Sequence, residues 1–238
     1  MNHAFFCLLA AAALLAVPGE ALAWGPGVHT AVSRFVLANL DLLPGGVAFL
    51  LSQAPQAFLY GSLSADFFVG KGTRVKPGHS HNWSSGGKLL LAAGTPQLKA
   101  YALGYLTHLA ADVVAHNFYV PNVLARAPYA SNFWHVYVEM QADSRLTGGL
   151  SLSAKVSRRT QRGADNALVA ALDKNRVTFM LRKRLFRGSM GVARLRSWNR
   201  SLRLAQRMFP LPDDPDYLHN MFDMSLRATL DILRDPEG

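Results

Sequence analysis

The chain has 238 residues, half of them hydrophobic, and a formal net charge of +10 at pH 7. Its one cysteine, Cys7, lies in the amino-terminal apolar run, so from residue 24 onward there is neither a disulfide framework nor a thiol nucleophile. A G-x-S-x-G elbow, a P-loop, a Rossmann glycine fingerprint, H-E-x-x-H and an EF-hand loop are all missing, which sets aside the enzyme classes that depend on them.

In chain order, an apolar run over 4–17 is followed by Pro18-Gly19 and by Ala21-Leu22-Ala23, the small-x-small pattern of a signal peptidase site. The run is shorter than the roughly 20 residues a spanning helix needs. We expect a signal peptide over 1–23 and export of the rest, to a secreted or periplasmic location. An uncleaved anchor is the alternative, and it also leaves the domain outside the cytoplasm. The 215 residues of 24–238 suit a single domain large enough for a hydrophobic core.

Apolar residues recur at helical spacing and strand signals are scarce, which predicts an all-α, multi-helix single domain. Helices are expected over about 29–53, from 89 onward, and over 96–119, 131–146, 164–186, 192–208 and 216–234. The last has Asp214 as N-cap and Pro215 at its first position. Between 61 and 87 the chain is rich in Gly, Ser, His and Lys, and reads as an irregular excursion. Gly188 and Gly191 are expected to separate two helices.

Six of the eight histidines fall where a metal site would use them. His108, Asp112 and His116 form H-x-x-x-D-x-x-x-H within the 96–119 helix. Steps of four drift by only about 40° at about 100° per residue, so the three side chains leave from nearly one face. His135 and Glu139 repeat the i, i+4 spacing on the 131–146 helix. Imidazole and carboxylate are ordinary zinc ligands, and helical bundles build metal sites from such inward faces. One such pair alone would read as a surface pair or a satisfied core histidine; two pairs and a third histidine in register point to metal. Cleavage after Ala23 would leave Trp24 first in Trp24-Gly-Pro-Gly-Val-His29, with an amine whose ordinary pKa of about 7.7 to 8 lets a metal displace its proton.

Taken in order, Trp24 and His29, Asp66 in Ser64-Ala-Asp-Phe-Phe68, His81 in His79-Ser-His-Asn-Trp83, the His108/Asp112/His116 helix and the His135/Glu139 pair resemble the zinc-dependent phospholipases C. These share their fold and zinc cluster with the fungal single-strand-specific zinc nucleases. The resemblance covers about 24–143. It implies three zinc ions: one on Trp24, His29 and Asp112, a neighbour on Asp66, His81, His108 and the same Asp112, and a third on His116, His135 and Glu139. It also implies that Asp66 acts as general base or orients the attacking water. His79 rivals His81 for its place. His116 follows Asp112 by four residues where the best-known phospholipases C and the nucleases use six, a spacing closer to the animal glycosylphosphatidylinositol-specific phospholipase D. That departure leaves open which P–O bond is cut.

Between 155 and 207 there are fifteen Lys or Arg and two acids, Asp165 and Asp173. A basic surface there is expected to meet anionic lipid or, less favoured, nucleic acid. The sequence therefore implies a zinc phosphodiesterase acting on phospholipid head groups. A zinc nuclease for single strands and a non-catalytic, zinc-stabilised binding protein are the alternatives.

Overall fold

A computed structural model of the chain describes residues 24–68, 79–126, 132–145, 148–159, 161–212 and 214–236. The signal peptide expected over 1–23 lies outside them. The described residues form helices and no strand: α1 (Pro26–Ala38), α2 (Gly45–Gln53), α3 (Pro55–Ser64), α4 (Trp83–Leu91), α5 (Pro96–Val114), α6 (Val120–Arg126), α7 (Asn132–Arg145), α8 (Gly149–Arg158), α9 (Arg162–Ala171), α10 (Arg176–Ala193), α11 (Arg196–Met208) and α12 (Pro215–Arg234). Short 3-10 turns lie at Leu40–Leu42 and Ala65–Phe68, and a π-helical turn at Ala115–Tyr119. No described helix is long and apolar enough to cross a membrane.

Helix α5 is the central element, buried along most of its length and packed against α3, α4 and α12. From Tyr101 to Leu109, with Leu103 and Tyr105 between, it joins an apolar cluster built with Phe58, Leu63 and Phe67. Its last turn, Ala111 and Val114, joins a second cluster with Trp24, Val28, Tyr119 and Met221. His108 and Asp112 lie on either side of that seam, so burial is imposed on them by the apolar packing around them.

The crossing of α3 and α5 depends on two glycines. A Cβ on Gly61 would run into the backbone carbonyl of Tyr101, and one on Gly104 into that of Phe58. Removing both Cβ atoms lets the helices approach backbone to backbone.

Several boundaries differ from the sequence reading. The single helix expected over 29–53 is broken by the 3-10 turn at Leu40–Leu42 and by Pro44, which caps α2. Residues 61–64, read as part of an excursion, complete α3, because Leu63 is an apolar core position and the glycine before it serves the crossing. The helix expected over 164–186 is two helices. Asp173 takes a left-handed φ of 50°, and Asn175 then caps α10 by accepting the Val177 N–H at 2.7 Å. Gly188 and Gly191 lie inside α10, whose buried face of Phe179, Phe186 and Met190 holds it helical past them. Helix α8 had no sequence expectation. The start of α12 is as read, with Pro215 in its first turn and Asp214 accepting the Asp216 N–H at 3.1 Å.

In the basic half, Lys183 is buried and its Nζ donates to both carboxylate oxygens of Asp165, at 2.7 and 2.6 Å, and to the Tyr60 hydroxyl. This pair ties α10 and α9 to α3 and neutralises one of the two acids in the basic stretch.

Candidate metal centre

Asp66, on the 3-10 turn that follows α3, is buried, and the aromatic rings after it fix the turn: Phe67 packs edge-on to Phe186 at 5.1 Å and Phe68 against Phe179 at 5.2 Å. His81 precedes α4, whose N-cap Asn82 accepts the Ser84 N–H at 2.8 Å. The Tyr105 hydroxyl donates to the Ser80 carbonyl and holds this segment over α5. His108 and Asp112 come from α5, His29 from α1.

These side chains converge. Asp112 turns Oδ1 toward Trp24 and His29: the Trp24 backbone N–H donates to it at 3.3 Å, and His29 Nε2 lies 3.1 Å away. Its Oδ2 faces His108 Nε2 at 3.3 Å and His81 Nε2 at 3.5 Å. Asp66 Oδ1 lies 3.3 Å from His81 Nε2 and 3.7 Å from His108 Nε2. The His29 and His108 rings stack at 3.8 Å. One carboxylate thus serves two neighbouring groups of imidazoles, one oxygen to each.

The orientation of His108 is set from behind. Its Nδ1 faces the Ser62 carbonyl at 2.9 Å, so Nδ1 carries the proton and Nε2 of the neutral ring presents a lone pair. That Nε2 is 3.2 Å from His81 Nε2. Two nitrogen lone pairs at that separation repel unless a proton or a cation lies between them.

Asp66 gives the same indication. Neither of its buried oxygens accepts a hydrogen bond among the described residues, and Asp112 Oδ2 and His29 Nε2 are likewise unsatisfied. Buried carboxylate oxygens left without donors are costly. A divalent cation satisfies them, and two groups of ligand atoms, those of His29, Asp66 and His108 and those of His81, His108 and Asp112, each lie within 4.8 Å of one another. The donor set of imidazole and carboxylate fits zinc.

The cluster also moves its own protons. Burial opposes charge on His108, but Asp112 and Asp66 outweigh it and raise its pKa to about 9. Burial, with the repulsion of His108, lowers that of His29. Asp112 is held well below the usual carboxylate range: burial works against this, and His108 and His29 overcome it.

His79 stands next to His81, with ring centroids 5.7 Å apart. Its Nδ1 accepts the His81 backbone N–H at 3.1 Å and its carbonyl accepts the Ser85 hydroxyl at 2.9 Å, so it shapes the segment that presents His81. His116 follows Asp112 by one helical turn. It lies in the π-helical turn, which adds a residue to the helical repeat, and its ring meets that of His135 edge-on at 5.9 Å. His135 Nε2 is 3.6 Å from Glu139 Oε1, one helical turn on. His116, His135 and Glu139 therefore gather as a second group.

Trp24 is anchored by its side chain. The buried indole stacks on Tyr119 at 4.8 Å and its Nε1 donates to Ser225 Oγ of α12 at 3.0 Å, which leaves the backbone nitrogen facing Asp112. Asp143 fixes the following turn by accepting the N–H groups of Gly27 at 3.1 Å and Val28 at 2.8 Å, at the amino-terminal end of α1. A Cβ at Gly27 would lie 2.7 Å from its Oδ1. Asp143 continues the four-residue register of His135 and Glu139, but no motif in the sequence marks it. Ser62 and Ser225 leave no comparable trace.

With the geometry in place, the class is defined: an all-helical protein with a buried histidine and carboxylate cluster suited to zinc. Residues 28–184, well over half the chain, match the family described as zinc dependent phospholipase C, and the chain belongs to that family. Comparison with curated proteins and with solved structures finds no match.

Proposed function

We propose that this chain is a zinc-dependent phosphodiesterase that hydrolyses phospholipid head groups, in a mature form beginning at Trp24 after removal of 1–23. The single observation that carries the reading is the buried Asp66 carboxylate, unsatisfied by hydrogen bonds and facing two imidazole Nε2 atoms at 3.3 and 3.7 Å. Trp24, His29 and Asp112 are assigned to one ion, Asp66, His81, His108 and Asp112 to a second, and His116, His135 and Glu139 to a third. Bound zinc supplies Lewis acidity toward a phosphate and lowers the pKa of water.

The chain's own residues do the rest. Asp112 fixes the spacing of its two neighbouring groups, because its two oxygens face opposite ways. The Ser62 carbonyl holds His108 in one tautomer. Asp66, the carboxylate with free acceptor capacity, is placed to take the proton of the attacking water and to orient it. Phe67 and Phe68, on the same turn, keep it rigid. Membership of the phospholipase family favours a lipid phosphodiester over a nucleic acid.

The test uses zinc-loaded protein starting at Trp24. Release of phosphorylated head group from phospholipid micelles, with single-stranded DNA left intact, is the expected result. Cleavage of DNA alone would make the protein a nuclease. Tightly held zinc with no hydrolysis over a broad panel of phosphodiesters would make it a zinc-stabilised binding protein. The same preparation carrying an extension before Trp24, which turns the amine into an amide, should lose most of its activity.

A further inference from the structure

The two helices α10 and α11 carry exposed surfaces that the fold leaves uncovered. The buried face of α10 is Phe179, Lys183, Phe186 and Met190. On the opposite side, Val177, Leu181 and Leu185 follow at steps of four and are 77, 58 and 66 % exposed. Steps of four drift by about 40°, so the three form one row. Arg184 is exposed alongside that row and Arg176 lies near its start. Scattered exposed leucines are ordinary, but a row of three on one helical face, bordered by arginines, is not.

Helix α11 buries Trp198 and Leu202 and turns Arg196, Arg200, Arg203 and Arg207 outward. At about 100° per residue these four lie within about 60° of one another. None forms an ion pair with a carboxylate among the described residues. From 176 to 208 there are ten Lys or Arg and no acidic residue. Of the two acids just before, Asp165 is already neutralised by Lys183. Leu204, Met208 and Phe209 add exposed apolar surface beside the arginines.

The geometry points to this helical pair as a docking surface for an anionic lipid bilayer. The α11 arginines meet the phosphates, and the Val177, Leu181 and Leu185 row of α10 enters the boundary of the acyl chains. Charge selects an anionic partner. The apolar row selects lipid over nucleic acid, because a polynucleotide backbone offers aliphatic side chains nothing to enter, whereas interfacial helices combine these two faces. The pair is also mechanically joined to the proposed centre: Arg182 of α10 donates to the Phe68 carbonyl at 2.7 Å, two residues after Asp66. Docking would therefore bring a surface substrate to a protein whose Asp66 turn is braced by the docking helix.

The experiment is co-sedimentation of the zinc-loaded protein with vesicles of phosphatidylcholine, with and without phosphatidylglycerol, at low and high salt. The wild type is expected to bind the anionic vesicles and to be released by salt. Two variants with wild-type circular dichroism and zinc content, Leu181→Ser with Leu185→Ser, and Gln in place of all four α11 arginines, are each expected to lose at least tenfold in binding. Retention of wild-type binding by either variant, equal binding to neutral vesicles, or binding to single-stranded DNA alone would overturn the proposal. Vesicle binding without hydrolysis would keep this surface and remove the enzymatic reading, and hydrolysis of dispersed lipid without vesicle binding would do the reverse.

Discussion

The carbonyl of Ser62 on α3 lies 2.9 Å from Nδ1 of His108 on α5, and it aims the opposite ring nitrogen into the centre. That bond exists because α3 and α5 touch backbone to backbone at Gly61 and Gly104. Gly104→Ala inserts a methyl group against the Phe58 carbonyl, where no flexible side chain can yield. Overpacking of this kind costs about 1–3 kcal/mol. The variant is expected to unfold at lower denaturant and to hold zinc more weakly, whereas Gly94→Ala, with open space around it, should do neither. Denaturation and zinc titration of the two variants check this. Equal zinc affinity in Gly104→Ala would mean that the carbonyl does not set the histidine.

Asp112 faces two groups with its two oxygens, Trp24 and His29 on one side and His81 and His108 on the other. Asp112→Asn keeps the size but removes the charge and turns one oxygen into an amide donor directed at imidazole nitrogens. Zinc content and activity are expected to fall together, with activity down by more than 10³-fold, about 4 kcal/mol at the ordinary conversion. Metal analysis of the purified variant separates this from a purely catalytic defect. Full zinc content would remove Asp112 from its assignment as a bridge.

Proton and zinc compete for the same nitrogen. In the zinc-free protein folded His108 keeps its proton up to about pH 9, whereas its unfolded value is 6.5. Folding takes up a proton in that window, so this contribution to stability is complete below pH 6.5 and is lost as the pH rises through 9. Zinc requires the deprotonated ring, so its affinity should run the other way, rising by up to tenfold per pH unit between 6.5 and about 9. Competition against a chromophoric chelator across this range measures it. A flat profile would take His108 out of the ligand set.

The sequence carried the site further than it carried the helices. Spacing alone placed His108 with Asp112 and His135 with Glu139, because an i, i+4 pair shares a face in any α-helix. The π-helical turn that carries His116 leaves no composition signal that the apolar pattern reveals. Spacing does not choose between His79 and His81, because alternate positions in an irregular segment have no periodicity to separate them; in the structure His81 lies beside Asp66. The break at 172–175 was hidden for a related reason. Apolar residues continue at helical spacing across it, and only the left-handed Asp173 and the Asn175 cap end one helix and begin the next. Gly188 and Gly191 erred in the opposite direction, since a glycine costs only about 1 kcal/mol in a helix interior and buried packing offsets it.

Asp143 accepts two backbone N–H groups within the turn that separates Trp24 from His29, and Gly25 and Gly27 leave it the room to do so. It touches neither imidazole cluster, so its role is to position the amino-terminal segment. Asp143→Ala leaves the Gly27 donor buried without an acceptor, leaves Val28 with the Gly25 carbonyl alone, and opens a cavity beside them. Losing a cap of this kind costs about 0.5–2 kcal/mol. Asp143→Asn keeps one acceptor and should lie between the two. If the segment is held in place this way, zinc affinity and activity should fall in the order wild type, Asn, Ala, in step with the loss of stability measured by denaturation. Addition of saturating zinc should restore part of the activity of the Asn variant, because ligand binding to the folded state recovers stability by mass action. An Ala variant with wild-type zinc affinity would show that Trp24 and His29 keep their places through the indole contacts to Tyr119 and Ser225 alone.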